Sequence, residues 1–297
     1  MTQIIGNPLS WSVATARATG RHVGAAVDRI GFDGIRGADA AQLPEVRRIR
    51  IADLRHALNK GIEDFQACRT DVMFLCLLYP LIGAFLAWLA LDRDLLPLLF
   101  PAMSGFALLG PVAGIGLCEM SRRREQGLET NWATAFAVLS SPSFGAAFAL
   151  GLVLLGTFAA WLFAASGLYG AFLGPEPPAS VAAFAGTLLT TAGGWALIVV
   201  GMAVGFLFAV FVLMISLVSF PLLLDRDAGL PVAVATSMRV AMANPGPVAA
   251  WGLFVALSLA VGSAPLFLGL IVVLPVLGHA TWHLYRAAVV PPGQPYD

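Results

Sequence analysis

The sequence predicts an all-α fold, a polytopic helical membrane bundle of about six transmembrane helices with cytosolic amphipathic helices. Three observations lead to this prediction. The 297-residue chain is 59% hydrophobic and only 11% charged, whereas a soluble domain carries about 25% charged residues. Several long stretches contain no Asp, Glu, Lys or Arg, and about 20 apolar residues in a helix are enough to span the hydrocarbon core of a bilayer. The basic residues also fall on one side of these stretches.

The first two predicted spans form a hairpin at 72–91 and 95–117. Only the Asp-Arg-Asp sequence at 92–94 separates them, so the connection between the two helices must be tight. Three consecutive arginines at 122–124 follow the second span. Such a cluster is typical of the cytoplasmic end of a membrane helix.

Four further spans are predicted at about 146–168, 195–222, 248–261 and 266–284. The stretch 181–224 has no charge, but as one helix it would reach about 66 Å, twice what a bilayer needs. Gly193 and Gly194 offer a break, which leaves 181–192 as an interfacial or re-entrant segment. The stretch 248–261 is short for a span, so five spans remain an alternative to six.

The distribution of basic residues predicts the orientation. With six spans, every lysine and arginine except Arg93 lies on the side of the two termini. The positive-inside rule therefore places both termini in the cytoplasm, as expected for a multi-pass protein of a bacterial inner (plasma) membrane. Four tryptophans fit an aromatic belt at the two interfaces, namely Trp88 and Trp195 outside, and Trp251 and Trp282 inside.

Outside the spans, the periodicity of apolar residues predicts amphipathic helices. The clearest lies within 44–68, where Leu54, Leu58, Ile62 and Phe65 recur every three or four residues and form a candidate face for docking a partner. Two others are predicted at 125–141 and 231–243. Each is followed by a proline and a span, so a helix-plus-hairpin repeat is a further hypothesis. The chain then divides into a mobile cytosolic N-terminal tail at 1–43, the helix at 44–68, a transmembrane domain at 69–290, and a C-terminal tail at 291–297.

Candidate functional residues are few. His279 and His283 are four residues apart on one predicted helix face, a spacing that can bind metal or haem. Neither an HExxH motif nor a second histidine-rich helix accompanies them, so they are weak candidates for a cofactor site. The sequence predicts no catalytic residue, no metal site and no bound cofactor. Small-residue pairs that allow close helix packing, or homodimerisation, are Gly110 and Gly114, and Gly201 and Gly205.

Composition excludes some other classes. The formal net charge is zero, so nothing points to nucleic acid. Three cysteines without metal-type spacing do not suggest a disulfide framework. No predicted span carries a carboxylate or basic side chain near its middle, which disfavours an ion-coupled transporter with a buried proton relay.

Several segments resemble a family of predicted integral membrane proteins of unknown function from Gram-negative bacteria. They are LPEVRRIRIADLRHALNKGIEDFQACRTDVMFLCLLYPLIG, CEMSRRREQG, SFPLLLDRDAG, MANP and LPVLGHATWHLYR. The resemblance implies an inner-membrane location and a helical fold but no activity. Members are sometimes labelled as resembling cytochrome c oxidase subunit I. An oxidase core needs many membrane-embedded histidines, and this chain has four in all.

These observations favour a non-enzymatic membrane protein that works as an accessory, assembly or scaffold component, with the bilayer and another membrane protein complex as partners. The alternative is a transporter or flippase-like protein for a lipid-like or small apolar substrate, based on the prolines in the spans, the repeat and the uncharged interior. Haem or metal binding through His279 and His283 is a lesser alternative.

Overall fold

The computed structural model describes residues 43–68, 81–85, 88, 95–265 and 267–291. In this part of the chain the protein is built from α-helices with short 3₁₀ segments at Leu96–Leu98, Ala107–Leu109 and Trp132–Ser140, and no β-strand is present. The helices are α1 (Ile51–Ala67), α2 (Leu99–Phe106), α3 (Gly110–Ala113), α4 (Ile115–Glu125), α5 (Phe144–Leu173), α6 (Val181–Thr190), α7 (Ala192–Ser216), α8 (Ser219–Asp225), α9 (Leu230–Ala243), α10 (Pro245–Ser263) and α11 (Leu270–Ala288). The predicted all-α class is confirmed.

Three helical runs in the described residues are long and apolar enough to cross a membrane: Phe144–Leu173, Ala192–Asp225 and Pro245–Ser263. The pair Leu96–Gly105 and Gly110–Glu125 makes a fourth if the two are counted as one bent span. The predicted short span at 248–261 is therefore a longer helix, α10, since Pro245 occupies the first helical turn, where proline is tolerated. The last predicted span, 266–284, overlaps α11, but α11 is not among the described helices that are long and apolar enough to cross a membrane.

The span predicted at 95–117 is broken rather than continuous. Its two halves meet at an angle of 41°, with a 3₁₀ turn at Ala107–Leu109 between them. Pro111 stands in the first turn of α3, where the missing N–H and the fixed backbone angle of proline favour a fresh helix start. The bend between the two halves therefore has a local cause, the proline that starts a new helix at this point.

The long uncharged stretch also divides as predicted. Helix α6 ends at Thr190, and the hydroxyl of Thr191 accepts a hydrogen bond from the N–H of Gly194 (3.0 Å), which caps the start of α7. A Cβ atom on Gly194 would lie 2.3 Å from the carbonyl oxygen of Thr187. Only glycine allows the two helices to approach this closely, and the break itself lies at Thr191, just before the two glycines that were predicted to mark it.

Helices α5, α7 and α2 pack around one tryptophan. The indole N–H of Trp161, which is 4% exposed, donates to the carbonyl oxygen of Pro101 (2.9 Å). Its ring lies 5.6 Å from that of Phe208 between centroids. The Cβ position of Gly205 is 3.0 Å from the same ring. Gly205, predicted to mediate helix packing, therefore packs within the bundle.

The main hydrophobic core lies where α1, α8, α9 and the second half of α11 meet. Phe220, Leu222, Val240, Ala280 and Leu284 are all at most 2% exposed. Most side chains of the membrane-length helices instead face outwards, with only 28% of the most apolar window of α5 and 11% of that of α7–α8 buried inside the protein. The protein thus combines a well-packed end with spans whose apolar surface is left for lipid.

The segment before α1 is held against the end of α11. Val46 and Val289 form an antiparallel bridge, and the N–H of Val290 donates to the carbonyl oxygen of Glu45 (3.0 Å). The side-chain oxygen of Asn244, 3% exposed, accepts from the N–H of Ile49 (2.8 Å). Backbone groups that lie outside the helices are thereby paired, as buried polar groups require.

Two of the predicted amphipathic helices differ from expectation. The segment predicted at 125–141 contains a 3₁₀ helix, Trp132–Ser140, capped by Asn131. Helix α9 forms as expected, but its buried side chains include Thr236 and Ser237, while Met242 is 61% exposed. The two proposed repeat units therefore have different backbones.

The tryptophans only partly fit the predicted belt. Trp195 is 54% exposed, and Trp88 is 67% exposed. Trp251 and Trp282 are instead 4% and 1% exposed, so the prediction that they face the interface is wrong. Both pack inside the bundle. The first predicted span (72–91), apart from 81–85 and 88, lies outside the described residues, as do 1–42 of the predicted mobile tail and 292–297 of the C-terminal one.

Candidate functional site

The candidate site is a buried polar cluster at the junction of α1, α4 and α11, made of Asp64, Ser121, His279 and His283. The hydroxyl of Ser121 donates to Oδ2 of Asp64 (2.6 Å) and lies 2.8 Å from Nδ1 of His279. Nε2 of His283 donates to the same oxygen of Asp64 (2.8 Å). The side chain of Asp64 is 8% exposed, and that of His283 is 17% exposed. Three helices are therefore joined through one carboxylate.

The hydrogen bonds determine which nitrogen of His279 carries its proton. Since the hydroxyl hydrogen of Ser121 is used on Asp64, the serine oxygen can only accept, and Nδ1 of His279 must donate. In a neutral imidazole Nε2 is then an acceptor. That atom is buried and has no hydrogen-bond partner among the described residues, in a side chain with no exposed surface.

The carboxylate of Asp64 is held in its charged form. Burial acts to raise its pKa, but the hydrogen bonds from His283 and Ser121 act against this, and the resulting pKa is below the ordinary value of 3.8. Nε of Arg124 is 3.5 Å from Oδ1 of Asp64, and its Nη1 donates to the carbonyl oxygen of Glu63 (3.0 Å). Because Arg124 is 39% exposed, its contribution is weaker than that of the buried hydrogen bonds.

A second set of contacts extends the cluster along α11. The indole N–H of Trp282 donates to Oε2 of Glu125 (2.7 Å), and Nε of Arg286 donates to Oε1 of Glu125 (3.1 Å). The hydroxyl of Tyr285 donates to Oδ2 of Asp225 (2.6 Å). The second half of α11 is therefore linked to the ends of α4 and α8. We call this region, with Asp64, Arg124, Asp225 and Arg286, the polar end.

Two glycines bring these helices together. A Cβ atom on Gly61 would lie 2.7 Å from the backbone nitrogen of Ala280 and 2.8 Å from the carbonyl oxygen of Val276. A Cβ atom on Gly278 would lie 2.5 Å from Cδ1 of Leu117. At Gly61 the backbones of α1 and α11 are in direct contact, and at Gly278 the backbone of α11 packs on the side chain of Leu117. These approaches bring Asp64 and Ser121 within reach of the histidines.

The geometry is that of a structural junction. A nucleophilic serine must give its proton to the histidine, whereas Ser121 donates to Asp64. The two histidines also direct their bonded nitrogens at different partners, Ser121 and Asp64. Within the described part of the chain, no group of three or more His, Cys, Asp or Glu side chains could hold a metal ion. Haem or metal binding by this pair stays a prediction.

The predicted docking face on α1 is used within the chain. Leu54 and Phe65 are 7% and 8% exposed, and Leu58 packs against the core. Of the four residues, Ile62 is the one left exposed, at 37%. The face was correctly identified as apolar, but α11 of the same molecule covers most of it, so it is not a free docking surface.

The other predicted packing glycines have different surroundings. Around Gly110 and Gly201 a Cβ atom would meet nothing within 4 Å among the described residues. At Gly114 it would make ordinary contacts, the nearest at 3.5 Å to the carbonyl oxygen of Gly110. Around the polar cluster the close approaches occur at Gly61 and Gly278, which sequence spacing did not single out because they lie alone in their helices.

Comparison with known proteins agrees with this architecture. The region from α2 to the end of α8 is the part that matches a known protein family. Residues 99–225 match the family described as "Predicted integral membrane protein (DUF2189)". The match confirms the resemblance noted from the sequence over this region, and the chain is an integral, multi-pass membrane protein with a domain of unknown function. No curated protein matches it, and no solved structure does.

The DUF2189 match spans two of the membrane-length helices, α5 and α7–α8, and the bent pair before them. It also includes Ser121 and Asp225 from the polar end. Asp64, His279 and His283 lie outside the matched residues. The polar cluster is therefore shared between the matched region and the two flanking helices, α1 and α11.

Proposed function

We propose that this protein is a non-enzymatic accessory or scaffold component of a bacterial inner membrane, which works by binding another membrane protein at its polar end. The observation that carries the proposal is the rigid attachment of α1 to α11 through Gly61 and Asp64. A surface that is already ordered before it meets a partner loses less conformational entropy on binding. Helix α1 provides such an ordered surface for a partner.

The outer face of α1 supports the same function. Ile51 and Ile62 are 47% and 37% exposed, and Arg55, His56 and Asn59 are exposed beside them. This is a mixed apolar and polar surface on a helix outside the membrane-length segments. Such a composition is typical of a protein interface that forms and dissociates.

The polar residues of the cluster support a structural rather than a catalytic role. Asp64, Glu125 and Asp225 each accept hydrogen bonds from α11. Groups that satisfy one another in this way hold helices in fixed positions. The proposed orientation puts this end, with Arg124 and Arg286, in the cytoplasm together with both termini, in agreement with the positive-inside rule.

The proposal predicts that aspartate substitutions on the outer face of α1 release a stoichiometric partner. The full-length protein is extracted gently from its own membrane and analysed by native mass spectrometry. We expect the wild-type protein to carry a protein partner, and I51D/I62D to lose it at least tenfold while its yield and unfolding temperature stay unchanged. L128D is the matched control, because Leu128 is also exposed (52%) but lies outside α1, and it should retain the partner. A wild-type protein without any partner, or a partner retained by I51D/I62D, would contradict the proposal.

The second candidate function is transport of a lipid-like substrate. The observation that favours it is the bend of 41° between Leu96–Gly105 and Gly110–Glu125, since broken helices are common in transporters. In proteoliposomes, this alternative predicts that fluorescent phospholipid analogues cross the bilayer faster than in protein-free vesicles. Equal rates would exclude it.

A further inference from the structure

A cavity of about 400 Å³ lies beside the polar cluster and is separate from it. Its charged lining comes from the end of α4 and from the end of α8 with the residues that follow. The small residues Ser141 and Ser143 complete part of the wall. The charged residues are Glu119, Arg122, Arg123, Asp225, Arg226 and Asp227.

The cavity lies at the level where membrane-length helices end. Helix α5 begins at Phe144, directly after Ser143, and the run Ala192–Asp225 ends at a lining residue. Both helices are strongly apolar, and most of their surface faces outwards. A charged cavity in this position is therefore beside the layer that the headgroups of phospholipids occupy.

One side of the cavity carries an excess of positive charge. Glu119, whose side chain is 4% exposed, accepts from Nε of Arg122 (2.8 Å) and from Nε of Arg123 (3.1 Å). Two guanidinium groups therefore share one carboxylate. Among the described residues, Nη1 of Arg122 and both Nη atoms of Arg123 have no hydrogen-bond acceptor. Paired arginines with free donors match the geometry of a phosphate group.

The same cavity also carries a negative charge without an ion-pair partner among the described residues. Asp227 is exposed and forms no ion pair with any residue that the structure describes, whereas Asp225 is bound to Tyr285 and lies 3.9 Å from Arg226. A second hollow of about 290 Å³ shares Ser143 and Asp227 with the first and continues past Ala146 and Gly229. Asp227 lines both hollows, whereas Arg122 and Arg123 line only the first, so the two hollows form one trough that carries charges of both signs.

We propose that this trough binds the headgroup of a zwitterionic phospholipid, with its phosphate on Arg122 and Arg123 and its ammonium group on Asp227. The six charged lining residues comprise three of each sign, so a ligand without net charge is favoured. An anionic headgroup would bring uncompensated negative charge towards Asp227, which opposes its binding. The acyl chains would lie along the apolar outer surface of α5. This inference is independent of the partner proposed for α1.

The test measures which lipid stays bound. The full-length protein is purified in detergent, exposed to equimolar phosphatidylethanolamine and phosphatidylglycerol of the same chain length, and analysed by native mass spectrometry. We expect the wild-type protein to retain phosphatidylethanolamine at least fivefold over phosphatidylglycerol. D227K should reverse this preference, because the carboxylate that holds the ammonium group is replaced by a fourth cation in the lining. R123Q should lose retention of both lipids.

Two controls separate the site from general effects. E129Q and K60Q remove one exposed charge of each sign outside the trough and should keep the wild-type preference. A reversal of preference in D227K cannot result from misfolding, which would lower the retention of both lipids. Soluble glycerophosphoethanolamine is added as a competitor, and it should displace little of the lipid, since it lacks the chains that pack on α5.

Three results would overturn the inference. They are a wild-type protein that does not prefer phosphatidylethanolamine, a preference that D227K leaves unchanged, and retention of the soluble headgroup equal to that of the lipid. The last result would assign the trough to a small water-soluble zwitterion instead of a phospholipid.

Discussion

Replacing Gly61 by leucine is expected to separate α1 from α11 and to destabilise the protein by roughly 3 kcal/mol or more. The Cβ atom alone would lie 2.7 Å from the nitrogen and 2.8 Å from the Cβ of Ala280. The nearest obstacles are backbone atoms, which cannot rotate away as the end of a flexible side chain can. The helices must therefore move apart, and the hydrogen bonds of Asp64 would be stretched.

The measurement for G61L is thermal unfolding in detergent, followed by limited proteolysis of the segment 43–50. We expect a lower unfolding temperature and cleavage in this segment under conditions where the wild-type protein resists. G201L is the matched control, because it introduces the same side chain where nothing lies within 4 Å of a Cβ atom among the described residues. Since leucine is also a better helix former than glycine, G201L should be at least as stable as the wild type. Equal losses in the two variants would show that the contact between α1 and α11 is not the cause.

Replacing Asp64 by asparagine is expected to destabilise the protein by roughly 3 kcal/mol near neutral pH. The carboxylate accepts hydrogen bonds from Ser121 (2.6 Å) and His283 (2.8 Å) in a buried position. An amide keeps the size of the side chain but removes the charge, so both hydrogen bonds to this position lose their charge assistance, and an NH₂ group replaces the Oδ1 that faces Arg124. The free energy of unfolding at pH 7 is the quantity to compare.

The pH dependence of that difference gives a second test. The pKa of Asp64 in the folded protein lies below 3.8, its ordinary value. A lowered pKa stabilises the folded state above the ordinary value, and this contribution is lost as the pH falls through the folded pKa. The stability difference between the wild type and D64N should therefore be constant from pH 7 down to about pH 4 and shrink at lower pH.

The neighbouring carboxylate provides the matched control for D64N. Glu63 pairs with Lys60 (2.8 Å), but the two side chains are 54% and 43% exposed. Exposed ion pairs contribute little to stability, so E63Q should leave the free energy of unfolding nearly unchanged. If D64N and E63Q behaved alike, the buried cluster would not be a stabilising centre.

The helices of the fold could be predicted from the sequence because each depends on local information. The uncharged stretches show where helices run, the glycines at 193–194 lie just after a break between two helices, and the proline at 245 starts a new one. The periodicity within α1 was likewise sufficient to predict its helix. These signals act within a few residues of where they occur.

The partner of α1 could not be predicted in the same way. The apolar face with Leu54, Gly61 and Phe65 shows that α1 packs against another element, but it does not show that this element is α11. The burial of Asp64 could not be predicted either, since only the contact with Ser121 and His283 makes it favourable. The histidines were singled out from their spacing, yet their chemistry depends on α1 and α4, which are distant in sequence. Trp282 was placed at an interface because nothing local shows that Glu125 binds it.

The bond between Asp64 and His283 joins residues 219 positions apart, and this has a consequence for biosynthesis. At 5–20 residues per second, the ribosome needs roughly 10 to 45 s to make the chain between them. During that time the apolar side of α1 has no final partner, and it must rest on lipid or on a chaperone until α11 has been inserted. Of the helices that the structure describes, the last to be made therefore completes the packing of the first.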